Sequence, residues 1–138
     1  MPVLLNAAGL GTDVIDLAAC KARGITVSNI RGYAEATVPE HSFALILSLM
    51  RSVGPYHASV ARGRWGEAGQ FCYFDYPVFN LRGKVLGIVG MGRIGQAVAR
   101  RARGFGLAIH YHNRRRVHPD IEAELEATYW ESLDQMLA

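Results

Sequence analysis

The sequence contains little cysteine and no long hydrophobic run. Its two cysteines, Cys20 and Cys72, stand far apart, and neither belongs to a spacing of cysteine and histidine typical of a disulfide framework or a metal site. Two isolated thiols favour a reducing, cytoplasmic setting. The longest mainly apolar stretch, residues 43–50, is far shorter than the roughly 18 residues that cross a bilayer. We therefore expect a soluble protein with no secretory leader and no membrane partner.

Lysine is also scarce. Only Lys21 and Lys84 are lysines, so 13 of the 15 basic residues are arginines, and the net charge is +3. Six of the arginines lie within residues 100–116. This concentration favours an anionic, phosphorylated ligand, whereas nucleic acid is not expected as a partner. The alternative is a solvated helix face over residues 100–103 together with a basic loop over residues 114–116.

The length of the chain, 138 residues, suffices for one hydrophobic core and is too short for two complete domains. Near the start, residues 3–6 predict a buried strand, and Thr12 or Asp13 is predicted to cap a helix that runs to residue 22. Residues 25–29 predict a second strand. A strand, a helix and a strand in so short a span favour a parallel crossover, so the first lobe is predicted to be α/β.

The middle of the chain predicts helices and a loop. Residues 35–51 predict a long helix that is apolar nearly all round and therefore buried between layers, with His41 as a hydrogen-bonded core residue. The Gly-Pro pair at residues 54–55 is predicted to break this helix, and residues 56–62 predict a second one. Residues 63–80 predict a loop rich in aromatic side chains, which either packs back on its own body or reaches a second subunit.

The second half of the chain alternates strands and helices. The strands are predicted at residues 85–89, 107–112 and 128–130, and the helices at residues 93–103, 119–126 and 132–137. His110 and His112 share one face of the middle strand, but no carboxylate or cysteine lies nearby at ligand spacing. Packing or surface roles are therefore predicted for both histidines, and no metal site.

A GxGxxG run, GMGRIG, joins the first of these strands to the helix after it. This context is typical of a dinucleotide fingerprint. Gly90 permits the tight turn, Gly92 lets a pyrophosphate approach the backbone, and Gly95 lets the helix lie close to the strand. The amides of Arg93 and Ile94 sit where the helix dipole favours an anion. A tight turn that binds no ligand is the alternative.

The end of the following strand indicates which nicotinamide nucleotide is bound. A carboxylate there would bind the ribose 2′-hydroxyl of NAD, but the sequence has Asn113 at this place, followed by three arginines. An asparagine does not repel a 2′-phosphate, and the guanidinium groups of Arg114 and Arg115 can grip one. We therefore predict NADP as the cofactor, with NAD as the alternative. A basic turn whose arginines point to water is the structural alternative.

The order of these motifs resembles that of the D-isomer-specific 2-hydroxyacid dehydrogenases, and the resemblance covers essentially the whole chain. The most specific match is the fingerprint with its continuation, GMGRIGQAVA. The earlier stretch AGLGTD resembles the loop whose backbone amides hold the substrate carboxylate, which would give that role to Leu10 and Gly11. Residues 29–32 resemble the hinge, residues 38–41 the start of the long helix of the coenzyme domain, and residues 62–65 a stretch that packs across a dimer interface.

The resemblance implies an α/β fold in two parts. Residues 1–31 would be the remnant of a flavodoxin-like substrate domain, and residues 32–138 the N-terminal part of a doubly wound Rossmann coenzyme domain. It also implies an NAD(P)-dependent oxidoreductase that acts on the CH-OH group of a small 2-hydroxy or 2-oxo acid, of the glyoxylate, hydroxypyruvate or D-glycerate type, and is a homodimer at full length. One alternative is a formate dehydrogenase, which would have an acid in place of Asn113. The other is a nucleotide-binding protein without catalysis.

The chain departs from the pattern of the family at both ends. The family has further substrate-domain residues before the AGLGTD loop, and it carries its catalytic arginine, glutamate and histidine after the last helix predicted here. No catalytic residue is therefore assigned, and the chain alone is expected to be inactive. The strand at residues 85–89 is central in a doubly wound sheet, so one of its edges would be bare. We expect a truncated chain that is marginally stable or self-associating.

Overall fold

The computed structural model describes residues 3–7 and 11–138, which fall into two compact units. The first unit is Met1–Thr37, and the second is Val38–Ala138. Each contains parallel strands with connecting helices, which confirms the predicted α/β fold. Within the described ranges, no helix is both long and apolar enough to span a membrane.

The first unit is a strand, helix and strand crossover. Strand β1 (Val3–Ala7) pairs in parallel with strand β2 (Ile25–Asn29), as predicted, and Val3 lies beside Ile25 in the register. The connecting helix α1 is Leu17–Ala22. The crossover is therefore confirmed, although its helix is shorter than predicted.

Helix α1 begins later than the sequence predicts because its cap is Asp16. The Asp16 carboxylate accepts a hydrogen bond from the Ala19 amide at 2.8 Å, which satisfies an amide that the first helical turn leaves without a backbone partner. The residues before it form a turn in which the Ile15 amide donates to the Thr12 carbonyl. The prediction that Thr12 or Asp13 caps the helix is therefore wrong.

Helix α2 (Ala34–Met50) confirms the predicted long helix but not its predicted burial. Leu45 and Leu49 are 53% and 79% exposed, and His41 is exposed as well. Only the face that includes the buried Phe43 packs into the hydrophobic core. An apolar composition on every face predicted burial, but in the part of the chain that the structure describes no layer covers the opposite face.

Helix α3 (Val53–Ala61) begins earlier than predicted. The break between α2 and α3 falls at Ser52, whose φ of +49° is left-handed, and not at Gly54 and Pro55. Both of these residues lie in the first turn of α3. Proline is tolerated there because the first turn needs no intrahelical amide donor.

The aromatic segment after α3 contains a short helix, α4 (Arg64–Glu67), that the sequence did not predict. Part of the segment packs back on its own unit, since Tyr73 is buried and its hydroxyl donates to the Ser59 hydroxyl at 3.1 Å. Phe71 and Phe74 are instead exposed. Packing back therefore holds for Tyr73, and the alternative, that the segment reaches a second subunit, stays a prediction for Phe71 and Phe74.

The second unit is built on a parallel sheet in the order β3, β4, β5. The strands are β3 (Val85–Val89), β4 (Ala108–His112) and β5 (Ala127–Trp130), and the helices that alternate with and follow them are α5 (Arg93–Gly104), α6 (Pro119–Leu125) and α7 (Leu133–Leu137). All six elements lie within two residues of their predicted bounds. This order is that of one half of a doubly wound sheet.

Strand β4 shows the two-residue alternation that positions the site. Ile109 and Tyr111 are buried in the core on one face, and His110 and His112 are half-buried on the other. Nδ1 of His112 lies 3.0 Å from the Trp130 carbonyl oxygen, so this histidine packs between strands as predicted. Among the described residues, no cluster of histidine, cysteine and carboxylate side chains suits a metal ion.

Strand β3 lies at an edge of the described sheet. Within residues 11–138 it pairs with β4 alone, and Val85 and Val89 are 56% and 64% exposed. A strand this apolar is typical of the covered centre of a doubly wound sheet. The predicted bare edge is therefore present in the structure.

Candidate functional site

The candidate site lies where the carboxyl ends of β3 and β4 meet. The chain leaves β3 through Gly90, whose φ of +102° is accessible to glycine and strained for other residues. The Gly90 amide donates to the His112 carbonyl at 3.0 Å. This bond ties the glycine turn to the end of β4, so the turn and the loop after β4 lie side by side.

Two further glycines shape the turn in different ways. A Cβ on Gly95 would lie 2.3 Å from the Gly90 carbonyl oxygen and 3.3 Å from Cγ2 of Ile88, so only glycine lets α5 approach β3 this closely. A Cβ on Gly92 would meet no atom within 4 Å. The space beside Gly92 is therefore open, as a ligand that approaches the backbone requires.

Helix α5 begins at Arg93, as the fingerprint predicts. Its first internal hydrogen bond runs from the Gln96 amide to the Gly92 carbonyl at 2.9 Å. The first turn, with Ile94 in it, therefore carries the positive end of the helix dipole at the open space beside Gly92. A dinucleotide pyrophosphate fits these residues, because the space is open and the adjoining backbone is positively polarised.

The loop after β4 borders an open cavity of about 470 Å³, lined by Asn113, Arg114 and Arg115. The Asn113 side-chain amide donates to the Arg115 carbonyl at 2.9 Å, which curls the loop on itself. The Arg114 and Arg115 side chains are exposed at the cavity. The structure thus brings together the three residues predicted to meet a 2′-phosphate, beside the glycine turn.

The third arginine of the loop has a different environment. The Arg116 guanidinium makes two parallel contacts with the Glu122 carboxylate of α6, Nε to Oε1 at 2.8 Å and Nη2 to Oε2 at 2.7 Å. Arg116 also lies 5.4 Å from the centre of the Tyr129 ring. The predicted 2′-phosphate site included Arg114 and Arg115 but not Arg116, and in the structure the first two line the cavity while the third is paired with Glu122.

Tyr111 completes this pairing from inside the core. Its hydroxyl donates to Glu122 and accepts from the Val117 amide at 3.2 Å. Burial, and then the hydrogen bond to Glu122, raise the pKa of Tyr111 to about 12. Hydrogen bonds from Arg116, and then from Tyr111, lower the pKa of Glu122, which is therefore ionised at neutral pH. Sequence reasoning missed this cluster, because its members lie on different elements and share no local spacing.

Two arginines of α5, Arg100 and Arg103, form pairs with residues of α6 and its C-terminal end. Arg100 contacts Glu124 through Nε at 2.6 Å and Nη2 at 3.1 Å. Arg103 donates to the Glu124 carbonyl and to the Glu126 carboxylate. For residues 100–103 the structure therefore favours the alternative, a helix face: Arg100 and Arg103 are paired with acidic residues, and Arg101 donates to the Ala97 carbonyl at 3.0 Å.

The predicted substrate-carboxylate contacts belong to the first unit. Leu10 lies outside the described residues. Gly11 is exposed, and a Cβ there would lie 2.9 Å from Oδ2 of Asp13. The carboxylate-binding role of Leu10 and Gly11 stays a prediction.

Comparison with known proteins gives a consistent result. Residues 43–138 match the family model described as D-isomer specific 2-hydroxyacid dehydrogenase, NAD binding domain. The chain is 51% identical over 106 residues to the glycerate dehydrogenase of Methylorubrum extorquens, a match that covers 77% of this chain and 34% of that protein. It is 40% identical over 134 residues to formate dehydrogenase 2, mitochondrial, of Oryza sativa. This match covers 97% of this chain and 34% of that protein.

A solved structure from Polaromonas sp. JS6 66, described as a D-isomer specific 2-hydroxyacid dehydrogenase, superposes with a TM-score of 0.84 at 37% sequence identity. The match covers 98% of this chain and 41% of that one. The chain thus spans about a third of the length of the curated relatives that it matches.

Proposed function

This chain belongs to the D-isomer-specific 2-hydroxyacid dehydrogenase family, and we propose that it supplies the pyrophosphate and ribose contacts of an oxidoreductase that acts on a small 2-hydroxy or 2-oxo acid. The observation that carries the proposal is the glycine turn beside the cavity of Asn113, Arg114 and Arg115. Glyoxylate and hydroxypyruvate reduction, of the D-glycerate type, is the proposed activity of the whole protein.

The residues of this chain have binding and orienting roles. When bound, a nicotinamide nucleotide would donate a hydride to C2 of a 2-oxo acid in its reduced form, or accept one from C2 of a 2-hydroxy acid in its oxidised form. The backbone at Gly92 and the first turn of α5, with Arg93 and Ile94, would hold the pyrophosphate. Gly90 and Gly95 would keep that turn in place. In the first unit, the amides of Leu10 and Gly11 would hold the substrate carboxylate.

We propose NADP, and not NAD, as the preferred nucleotide. Asn113 is uncharged and its amide is already bonded to the Arg115 carbonyl, so it presents no carboxylate that would repel a 2′-phosphate. The Arg114 and Arg115 guanidinium groups face the cavity, where they can make bidentate contacts with a phosphate.

The test is titration of the purified chain with NADPH and NADH in parallel, by calorimetry or by nucleotide fluorescence. We expect tighter binding of NADPH, which Arg114→Ala weakens by about 1–3 kcal/mol because a charge-assisted contact is lost. NADH binding should change little, since NADH has no 2′-phosphate.

The matched control is Arg82→Ala. Arg82 is exposed and lies just before the amino end of β3, whereas the glycine turn follows the carboxyl end of the same strand. It should leave the affinities for both nucleotides unchanged. Equal binding of NADPH and NADH by the unmodified chain, or an unchanged NADPH affinity in Arg114→Ala, would contradict the proposed preference.

A formate dehydrogenase is the second candidate, favoured by the match to the rice enzyme over 97% of this chain. The uncharged Asn113 disfavours it, since an acid at this position is expected for an NAD-dependent enzyme. Assays of the full-length protein separate the two. Oxidation of NADPH by glyoxylate or hydroxypyruvate supports the first candidate, and reduction of NAD by formate supports the second.

Three further features belong to the same proposal. Residues 1–31 would derive from the substrate domain and residues 32–138 from the coenzyme domain, a boundary close to the end of the first compact unit at Thr37. The full-length protein would be a homodimer, to which the exposed Phe71 and Phe74 offer an apolar surface. A cytoplasmic location is consistent with the free thiols of Cys20 and Cys72.

A further inference from the structure

Three consecutive arginines follow Asn113, and the structure uses the third differently from the first two. Arg114 and Arg115 line the cavity, and within residues 11–138 neither side chain forms an ion pair. Arg116 is held by Glu122 through two contacts of 2.8 and 2.7 Å. A sequence of like charges thus contains two available cations and one that is already neutralised.

The Arg116 pair belongs to a cluster of four side chains, Tyr111, Arg116, Glu122 and Tyr129. Hydrogen bonds from this cluster hold both ends of the loop of residues 113–117. At its start, the Tyr129 hydroxyl donates to the Asn113 carbonyl at 3.5 Å. At its end, the Val117 amide donates to the Tyr111 hydroxyl at 3.2 Å. The centres of the two tyrosine rings lie 5.3 Å apart on neighbouring strands, so both hydrogen bonds are made by side chains of the sheet.

Arg116 cannot leave this cluster without cost. The Glu122 side chain is only 11% exposed, and without Arg116 its carboxylate would keep a charge that water reaches poorly. Arg116 also covers the Tyr129 ring at 5.4 Å. Moving the guanidinium to a phosphate in the cavity would break both contacts, so Arg116 stays with Glu122.

We propose that Arg116 is a positioning residue, which together with Glu122 and Tyr111 fixes the loop so that Arg114 and Arg115 face the 2′-phosphate, and that it does not bind the phosphate itself. This inference rests on the proposed preference for NADPH. It assigns a specificity role to Glu122, a carboxylate that by charge alone would disfavour a phosphate nearby.

The experiment measures NADPH and NADH dissociation constants for the unmodified chain and for Glu122→Gln and Arg116→Leu. Each substitution opens the cluster from a different side, and we expect each to weaken NADPH binding roughly 5- to 10-fold, the scale of one loosened charge-assisted hydrogen bond. NADH binding should change less than about twofold, because NADH has no phosphate at this loop.

The direction in which Glu122→Gln changes NADPH affinity distinguishes a positioning role of Arg116 from direct binding of the phosphate by Arg116. If Arg116 bound the phosphate itself, releasing it from Glu122 would leave NADPH affinity unchanged or raise it, and that result would overturn the inference. A loss of both nucleotide affinities by the same factor would also overturn it, because it would show a structural role only.

The matched control is Arg100→Leu. Arg100 makes the same two-point contact with Glu124 on the same helix, α6, but lies on α5, away from the loop. The ratio of NADPH to NADH affinity should be unchanged in this variant, and a fall equal to that in Arg116→Leu would contradict the inference. Unmodified protein that fails to prefer NADPH would refute the proposed cofactor preference, and the inference with it, before any variant is compared.

Discussion

Substitution of Gly95 by alanine tests the close approach on which the nucleotide turn depends. The added Cβ would lie 2.3 Å from the Gly90 carbonyl oxygen, whereas a carbon and an oxygen normally approach to about 3.3 Å. Helix α5 and strand β3 must therefore separate by about 1 Å. Overpacking of this kind costs roughly 2 to 3 kcal/mol, and the obstructing atom is backbone, which cannot rotate away.

The assay is thermal unfolding of the chain followed by far-ultraviolet circular dichroism. For a unit of this size, 1 kcal/mol corresponds to about 4–8 °C in the midpoint, so Gly95→Ala should lower the midpoint by about 10 °C or more. An unchanged midpoint would show that α5 does not pack on β3 as described, and would refute the reasoning.

Two other glycines, one at each end of α5, serve as controls, because an added Cβ meets no atom at either position. At Gly104 an added Cβ meets nothing within 4 Å, so Gly104→Ala should stabilise the helix by about 0.5–1 kcal/mol. Gly92→Ala should cost at most about 1 kcal/mol, because the N-cap prefers glycine to alanine. Its methyl group would nevertheless occupy the open space beside the turn, so NADPH binding should fall far more than stability.

Two further predictions concern the core and the exposed face of α2. The pKa of Tyr111 is raised to about 12, so the folded state favours the protonated phenol. The stability that the protonated Tyr111 contributes should be complete below pH 10 and lost as the pH rises toward 12. The free energy of unfolding, measured in urea between pH 9 and 12, should therefore fall more steeply for the unmodified chain than for Tyr111→Phe. Parallel pH dependences of the two proteins would contradict the assignment. Leu49 is 79% exposed, so Leu49→Glu should reduce self-association in sedimentation velocity while changing the free energy of unfolding by less than about 0.5 kcal/mol. Unchanged self-association would mean that the chain does not associate through this exposed face of α2.

Local patterns predicted most of the fold of the second unit. The alternation of Ile109 and Tyr111 with His110 and His112 and the glycine punctuation at residues 90–95 each act within a few residues, so the sequence carries them directly. The prediction that α2 is buried failed because a partner distant in sequence decides the outcome. An apolar helix such as α2 is buried only if a layer covers each face, and its composition does not reveal whether that layer is present.

The basic loop shows the same division at the scale of single side chains. The chemistry of Asn113, Arg114 and Arg115 and their place after a strand predict a phosphate site, and the structure brings these three residues together at one cavity. That reasoning gives no partner for Arg116, because its partners are Glu122 on α6 and Tyr129 on β5, which are distant in sequence. Counting arginines after this strand therefore overestimates the charge available to a phosphate. The expected NADPH preference should follow the guanidinium groups of Arg114 and Arg115, and Glu122 should support that preference by holding Arg116.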